Sequence, residues 1–259
     1  MNIVALVDYD SSSSSENEET ETITQKSVSL KRSALPTAAS LLGAKITKLE
    51  NNDEEDDFDN PTLHGGRIRS FKHERGNWAT FVYVPALTCA EQLKDFQLEA
   101  IERLAPQIEL QSNESLHLSL SKTVVLQYHQ IDEFQRSLQQ ALHSCVRFNS
   151  TLNSLEVYTN EERTRTFLAV QLDAAYTIKM SELLNCVDSV MRDYRLEQFY
   201  KKPSFHVSLL WCLGDRQAML QDRLQELQLL LKEHEALKLA VHELCCKCGN
   251  KDFIYKLKQ

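Results

Sequence analysis

The stretch Leu116-His117-Leu118-Ser119-Leu120-Ser121 decides how this chain is read. In an extended strand, successive side chains point to opposite faces. Leu116, Leu118 and Leu120 then share a core face, while His117, Ser119 and Ser121 stand side by side on the other. An imidazole and a hydroxyl two residues apart make a small polar patch over a packed floor. The device recurs in Ser204-Phe205-His206-Val207-Ser208-Leu209-Leu210-Trp211. There Phe205, Val207 and Leu209 are expected inside, and Ser204, His206 and Ser208 outside. One such strand means little, because a lone histidine is more often a satisfied structural residue. Two copies predict two half-sites facing each other across a cleft. Their imidazoles can give and take protons around one phosphate while the hydroxyls hold its oxygens.

The elements around these strands repeat in parallel. Trp78–Val84 reads as a strand ended by Pro85, and Ala90–Leu104 as a helix with apolar positions Leu93, Phe96, Leu98, Ile101 and Leu104. The first His-x-Ser strand follows, and then a helix over Ile131–Phe148. Strands over Thr151–Tyr158 and Thr166–Leu172 flank the polar turn Thr159-Asn160-Glu161-Glu162-Arg163. A helix over Ala175–Tyr194 leads to the second His-x-Ser strand, and another covers Gln217–His234. The last two strands, Leu237–Cys245 and Phe253–Leu257, meet at a turn at Gly249-Asn250. Each motif strand lies between helices. This predicts an α+β fold of two pseudo-symmetric lobes, antiparallel sheet within and helices outside, around a central cleft.

Charge separates the chain into two parts. Of 259 residues, 37 are Asp or Glu and 29 are Lys or Arg, a net charge of −8. The whole imbalance falls in residues 1–60, so the remainder is neutral and free to carry a basic cleft. Residues 1–62, with SSSSSENEETET and NNDEEDDFDN, read as a disordered acidic arm that buries too little apolar surface to offset its ordering entropy. Residues 63–259 read as the folded domain. No apolar run approaches membrane-spanning length, and the start carries no basic region or cleavage signal. No membrane role is expected.

Seven cysteines, several within apolar runs, fit reduced thiols in a reducing compartment. His242, Cys245, Cys246 and Cys248 raise the question of zinc. Their spacing matches no paired Cys-x-x-Cys arrangement, and alternation sends Cys245 and Cys246 to opposite faces. An ordinary late strand is the expectation. No metal and no cofactor are assigned, and no acidic cluster of the kind that holds two magnesium ions is found outside the arm.

The paired His-x-Ser signature resembles that of the two-histidine phosphoesterase superfamily. Four longer words resemble one branch of it, the U6 snRNA phosphodiesterases, which are 3′-to-5′ exoribonucleases. They are HGGRIRSFKHERGNWATFVYVP (64–85), LHLSLSKTVVL (116–126), VYTNEERTRTF (157–167) and FYKKPSFHVSLLWCLGD (199–215). The resemblance implies the same two-lobed architecture, a nuclear location and trimming of the U-rich 3′ end of U6 snRNA. Trimming uses the RNA's own 2′-hydroxyl and leaves a 2′,3′-cyclic phosphate. Histidine serves such chemistry because its pKa lies near neutrality. His117 is assigned as base and His206 as acid, an order the sequence does not fix, with Ser119 and Ser208 donating to the phosphate oxygens.

The resemblance further implies that Tyr200 stacks on the 3′-terminal base. Ser204 and Phe205 would bring backbone groups near the nucleotide. Leu118, Val207, Glu161, Lys201 and Lys202 join them as nucleotide-binding candidates, and Lys122, Arg163 and Arg165 as weaker ones. A monomer is expected. The rival readings are a 2′,3′-cyclic phosphodiesterase using water in place of the alcohol, and a non-catalytic RNA-binding protein on the same fold.

Overall fold

The computed structural model describes residues 76–259. The arm read over 1–62 and the start of the word at 64–75 lie outside the described residues.

The elements follow the order expected. They are β1 (Asn77–Pro85), α1 (Ala90–Leu104), β2 (Gln111–Ser112), β3 (His117–Ser119), β4 (Val124–Gln127) and α2 (Ile131–Leu142). Then come β5 (Phe148–Thr159), β6 (Arg165–Leu172), α3 (Thr177–Asp193), β7 (His206–Leu213), α4 (Gln217–Glu233), β8 (Leu237–Val241), β9 (Glu243–Cys248) and β10 (Lys251–Lys256).

One antiparallel sheet runs in the order β10-β9-β1-β3-β7-β6-β5-β8, with β4 also pairing β1 and β2 also pairing β7. Its halves are the two lobes. The first holds β10, β9, β1, β3 and β4; the second holds β7, β6, β5, β8 and β2. They meet where β3 touches β7, at the single registered pair Leu118↔Val207. Beyond it the chain from β3 departs, and β2 takes over the β7 edge through Gln111↔Trp211 and Ser112↔Leu210.

Period-2 alternation divides the sheet into two faces. Val82, Val84, Leu118, Leu120, Val207 and Leu209 are fully buried and share one hydrophobic cluster with Phe96, Phe134, Met180 and Leu227 of the four helices. At about 25 cal/mol per Å² of apolar surface removed from water, burial of this face is the main driving force for the fold. The opposite face carries the polar members of the motif strands.

Several expected boundaries move. The helix expected over Ile131–Phe148 ends at Leu142. Arg147 N–H donates to the Lys258 carbonyl (2.9 Å), and Phe148 already pairs with Val241 as the first residue of β5. The apolar spacing ran on through Cys145 because that side chain packs on the core beside Cys186, with sulfurs 3.5 Å apart. The strand expected over Leu237–Cys245 is two strands. The chain leaves the edge of β5 after Val241, turns at His242, whose ring bonds Asn149 (2.9 Å), starts β9 at Glu243 opposite Lys256, and pairs with β1 from Cys245. The last strand begins at Lys251 rather than Phe253, its first pair being Lys251↔Cys248. Finally, β3 stops at Ser119, and Ser121 turns inward. The Ser121 hydroxyl accepts from Val82 N–H (2.8 Å) and donates to the Lys122 carbonyl (2.8 Å), so it serves the backbone and not the polar patch.

The late cysteines divide as alternation requires. Cys246 and Cys248 are fully buried, and Gln135 donates to both thiols. Cys245 shares the other face with its registered partner Tyr83. Among the described residues no helix is long and apolar enough to cross a membrane.

Candidate functional site

The site is assembled where β3 and β7 meet. Leu118 and Val207 pair with both side chains in the core, so the residues flanking them turn to the other face. That places His117 and Ser119 of one lobe beside His206 and Ser208 of the other. Among the described residues, the Ser119 and Ser208 hydroxyls make no bond to protein, which leaves them free as donors.

Both histidines are held in the same way. His117 Nδ1 lies 2.9 Å from the Ser115 carbonyl, and His206 Nδ1 lies 2.7 Å from the Ser204 carbonyl. A carbonyl only accepts, so each Nδ1 carries the proton and each Nε2 is left for substrate. Burial pushes both imidazoles below their ordinary pKa, and the carbonyl bonds partly oppose this. The charge of His117 lowers His206 slightly further.

The rings are also packed. Tyr158, from the end of β5, stacks on His206 with centroids 4.2 Å apart and planes at 18°. It reaches across β6 at the buried Ala169, the residue paired with both Glu156 and Ser208. Its hydroxyl bonds Ser204 Oγ (2.5 Å) and accepts from Gln171 Nε2 (3.0 Å). Ser154 Oγ donates in turn to Gln171 Oε1 (3.1 Å). On the other lobe, Tyr83 and Phe81 of β1 lie 4.9 and 5.6 Å from the His117 ring.

The β7 backbone is braced from outside the site. The buried Gln97 of α1 donates to the carbonyls of Leu209 (2.6 Å) and Asn113 (3.0 Å), while Asn113 Nδ2 donates to the Ser208 carbonyl (3.0 Å). Gln97→Leu removes two hydrogen bonds, leaving the Asn113 carbonyl without this donor while the Leu209 carbonyl keeps the Asn113 N–H (2.8 Å). It is expected to lower unfolding free energy by about 1–3 kcal/mol, read as a shift in the urea midpoint at constant slope.

The remaining candidates fall into three groups. Leu118, Phe205 and Val207 direct their side chains into the core, so only their backbone is left for a nucleotide. Ser204 faces the site, but its hydroxyl is engaged by Tyr158. Tyr200, 52% exposed, sits on the link between α3 and β7 with Phe199 edge-on beneath it (5.1 Å). Its neighbours Lys201 and Lys202 are exposed. The lysine that lies over the Tyr200 ring is instead Lys122, from the first lobe, with Nζ 4.7 Å from the centroid and bonded to Glu197. That bond holds the Lys122 ammonium above its ordinary range, with Glu161 adding its negative charge. Glu161, exposed on the β5–β6 turn, therefore belongs to the same rim. Arg163 is tied to Asp215 (2.8 Å) and Arg165 lies over Trp211 (5.1 Å), so both are already engaged.

Several contributors were not singled out from sequence: Tyr83, Phe81, Gln171, Glu197 and the Ser115 carbonyl. One signal was available. The repeated unit is five residues long, Ser115-x-His117-x-Ser119 and Ser204-x-His206-x-Ser208, and its first member supplies the carbonyl that orients each ring.

The chain is similar to known proteins over most of its length. The family model described as "HVSL: Uncharacterised conserved protein" matches residues 41–255, and residues 206–209 spell those four letters. The chain is 61% identical over 259 residues to U6 snRNA phosphodiesterase 1 of Drosophila melanogaster, an alignment covering 98% of this chain and 100% of the relative. It is 36% identical over 271 residues to the Homo sapiens protein of the same name, with both chains covered completely. The solved structure of Kluyveromyces marxianus Usb1 shares the fold, with a TM-score of 0.51 at 19% identity over 71% of this chain and 99% of that one.

Proposed function

Since the chain belongs to the U6 snRNA phosphodiesterase family, we propose that it is a 3′-to-5′ exoribonuclease that trims the U-rich 3′ end of U6 snRNA in the nucleus. The carrying observation is the pair of carbonyl-oriented histidines, each with a serine hydroxyl two residues on, meeting at one joint of the sheet.

The geometry supports the following step. The terminal base stacks on Tyr200, an aromatic platform that tolerates any base and contributes about 1–3 kcal/mol. Its phosphate lies between the two Nε2 atoms. His117 takes the proton of the neighbouring ribose 2′-hydroxyl. That oxygen attacks phosphorus, and the P–O5′ bond breaks. His206, protonated, gives its proton to the departing 5′-oxygen. Ser119 and Ser208 donate to the non-bridging oxygens, where charge builds in the transition state. The products are a terminal nucleoside and an RNA ending in a 2′,3′-cyclic phosphate. Each histidine is left in the other's starting protonation state. In this reading the enzyme acts as a phosphorus–oxygen lyase, needs no cofactor and works as a monomer.

The test is an oligo(U)-tailed RNA incubated with the protein in EDTA, with products weighed by mass spectrometry. Stepwise shortening to an end one water lighter than a 3′-phosphate is expected. A 3′-phosphate from the outset, or activity only with added divalent metal, contradicts the step.

A pH profile follows from the lowered imidazoles. The base must be neutral and the acid protonated. Lowering both pKa values keeps the base neutral but strips the acid as pH rises. The profile of kcat/KM is expected to be bell-shaped, with its maximum on the acid side of the ordinary imidazole pKa of about 6.5. A maximum well above neutrality contradicts the assignment.

A further inference from the structure

A phosphodiester held between two lobes has RNA on both sides. On the reading above, the terminal nucleotide lies toward Tyr200, which follows α3 in the second lobe. The chain upstream of the phosphate must leave over the first.

The first-lobe sheet offers a surface there. The register places Tyr83 opposite both Ser119 and Cys245, and Cys245 opposite Ile254. Phe81 lies opposite Lys247. Partners in register share a face, so Tyr83, Phe81, Lys247 and Ile254 continue the face that carries His117. The rings of Tyr83 and Phe81 are 5.3 Å apart, and both lie against the imidazole. Burial pushes the Tyr83 hydroxyl up to about 12, so the ring stays uncharged wherever the enzyme works. Farther out, Ile254 is 60% exposed, an unusual place for an isoleucine on a sheet. Lys247, with its side chain 44% exposed, is paired among the described residues only with Asp252, at 3.9 Å, a pair that a phosphate can displace at little cost. From β3 to β10 the surface crosses three strand spacings, about 14 Å.

We propose that this face, from Tyr83 and Phe81 to Lys247 and Ile254, is a single-stranded RNA track that binds the nucleotides upstream of the scissile phosphate. Bases stack on the two rings and pack on Ile254, while Lys247 meets the backbone. Aromatic faces beside a cation are the usual elements of sequence-tolerant single-strand binding. The track also orders the chemistry. The attacking 2′-hydroxyl belongs to the upstream nucleotide, so it is delivered to His117 and the base role falls to that residue.

The experiment compares the uridine dinucleotide UpU, whose one upstream base reaches only the start of the track beside His117, with a ten-uridine oligomer. The read is the ratio of their kcat/KM values for wild type, Phe81→Leu, Lys247→Gln and the double variant. Phe81→Leu keeps apolar packing on His117 but removes the stacking face. Lys94→Gln, an exposed lysine of α1, controls for loss of charge alone. The decamer-to-dinucleotide ratio is expected to fall at least about fivefold in the double variant. The salt dependence of decamer binding should become shallower by about 0.7 per lost phosphate contact in Lys247→Gln. A ratio equal to wild type overturns the track, whether both substrates slow together or neither changes. Failure of the wild type to cleave either substrate overturns the exonuclease reading instead.

Discussion

Replacing either His117 or His206 by alanine is expected to lower kcat for 3′-end trimming by about 100- to 10,000-fold, the range for losing a positioned general acid or base. The double variant should fall about as far as the worse single variant, because the two act on one proton path and their effects do not add. Binding should survive. Tyr200 and the hydroxyls remain, so KM for an oligo(U)-tailed RNA is expected to change by less than about threefold, since lost acid–base chemistry acts on the transition state alone. Single-turnover assays in EDTA measure both quantities. Each truncation also removes a packed ring, from against Tyr158 or against Tyr83 and Phe81, so turnover is normalised to folded protein. Retained trimming in either single variant would remove that histidine from the mechanism.

Leu118→Ala is expected to lower unfolding free energy by about 2–5 kcal/mol, as for other fully buried leucines. Leu118 is fully buried at the one registered pair that joins the two lobes. A cavity at that place does more than weaken the core. It loosens the strand that sets the separation of His117 and His206, so kcat should fall beyond what the unfolded fraction explains. Leu231→Ala, in the buried face of α4, supplies the comparison. It should cost similar stability and leave kcat per folded molecule unchanged. The urea midpoint gives the first quantity, and active-site-normalised turnover gives the second. Equal kcat in the two variants would mean the joint does not hold the catalytic spacing.

The motif strands were legible because a period of two divides a half-buried strand into core and cleft faces. Phe205, Val207, Leu209, Leu118 and Leu120 are all buried, and His117, Ser119, His206 and Ser208 all face the other way. Ser121 escaped the rule because β3 ends before it, and strand length is set by the neighbour β1 rather than by local sequence. The Tyr158 ring could be placed near the site by its word but not on His206. That stack spans three strands and depends on the small Ala169 between them. Lys122 over Tyr200 joins residues 78 positions apart, a contact no local pattern encodes. The division at His242 was invisible for another reason. Residues 237–246 contain no glycine or proline to mark a break, and only the pairing partners reveal that the run serves two edges.

That division bears on synthesis. β8 completes the second lobe, but β9 and β10 return to the first, beside β1. The strand made earliest among the described residues therefore keeps an open edge until nearly the last has left the ribosome. The lobes are halves in space but not along the gene. A cut between them in sequence yields no fragment with a finished sheet. A stop codon a few residues after β8 leaves both histidines translated, yet takes away β9, which flanks the strand behind His117, and β10 beyond it.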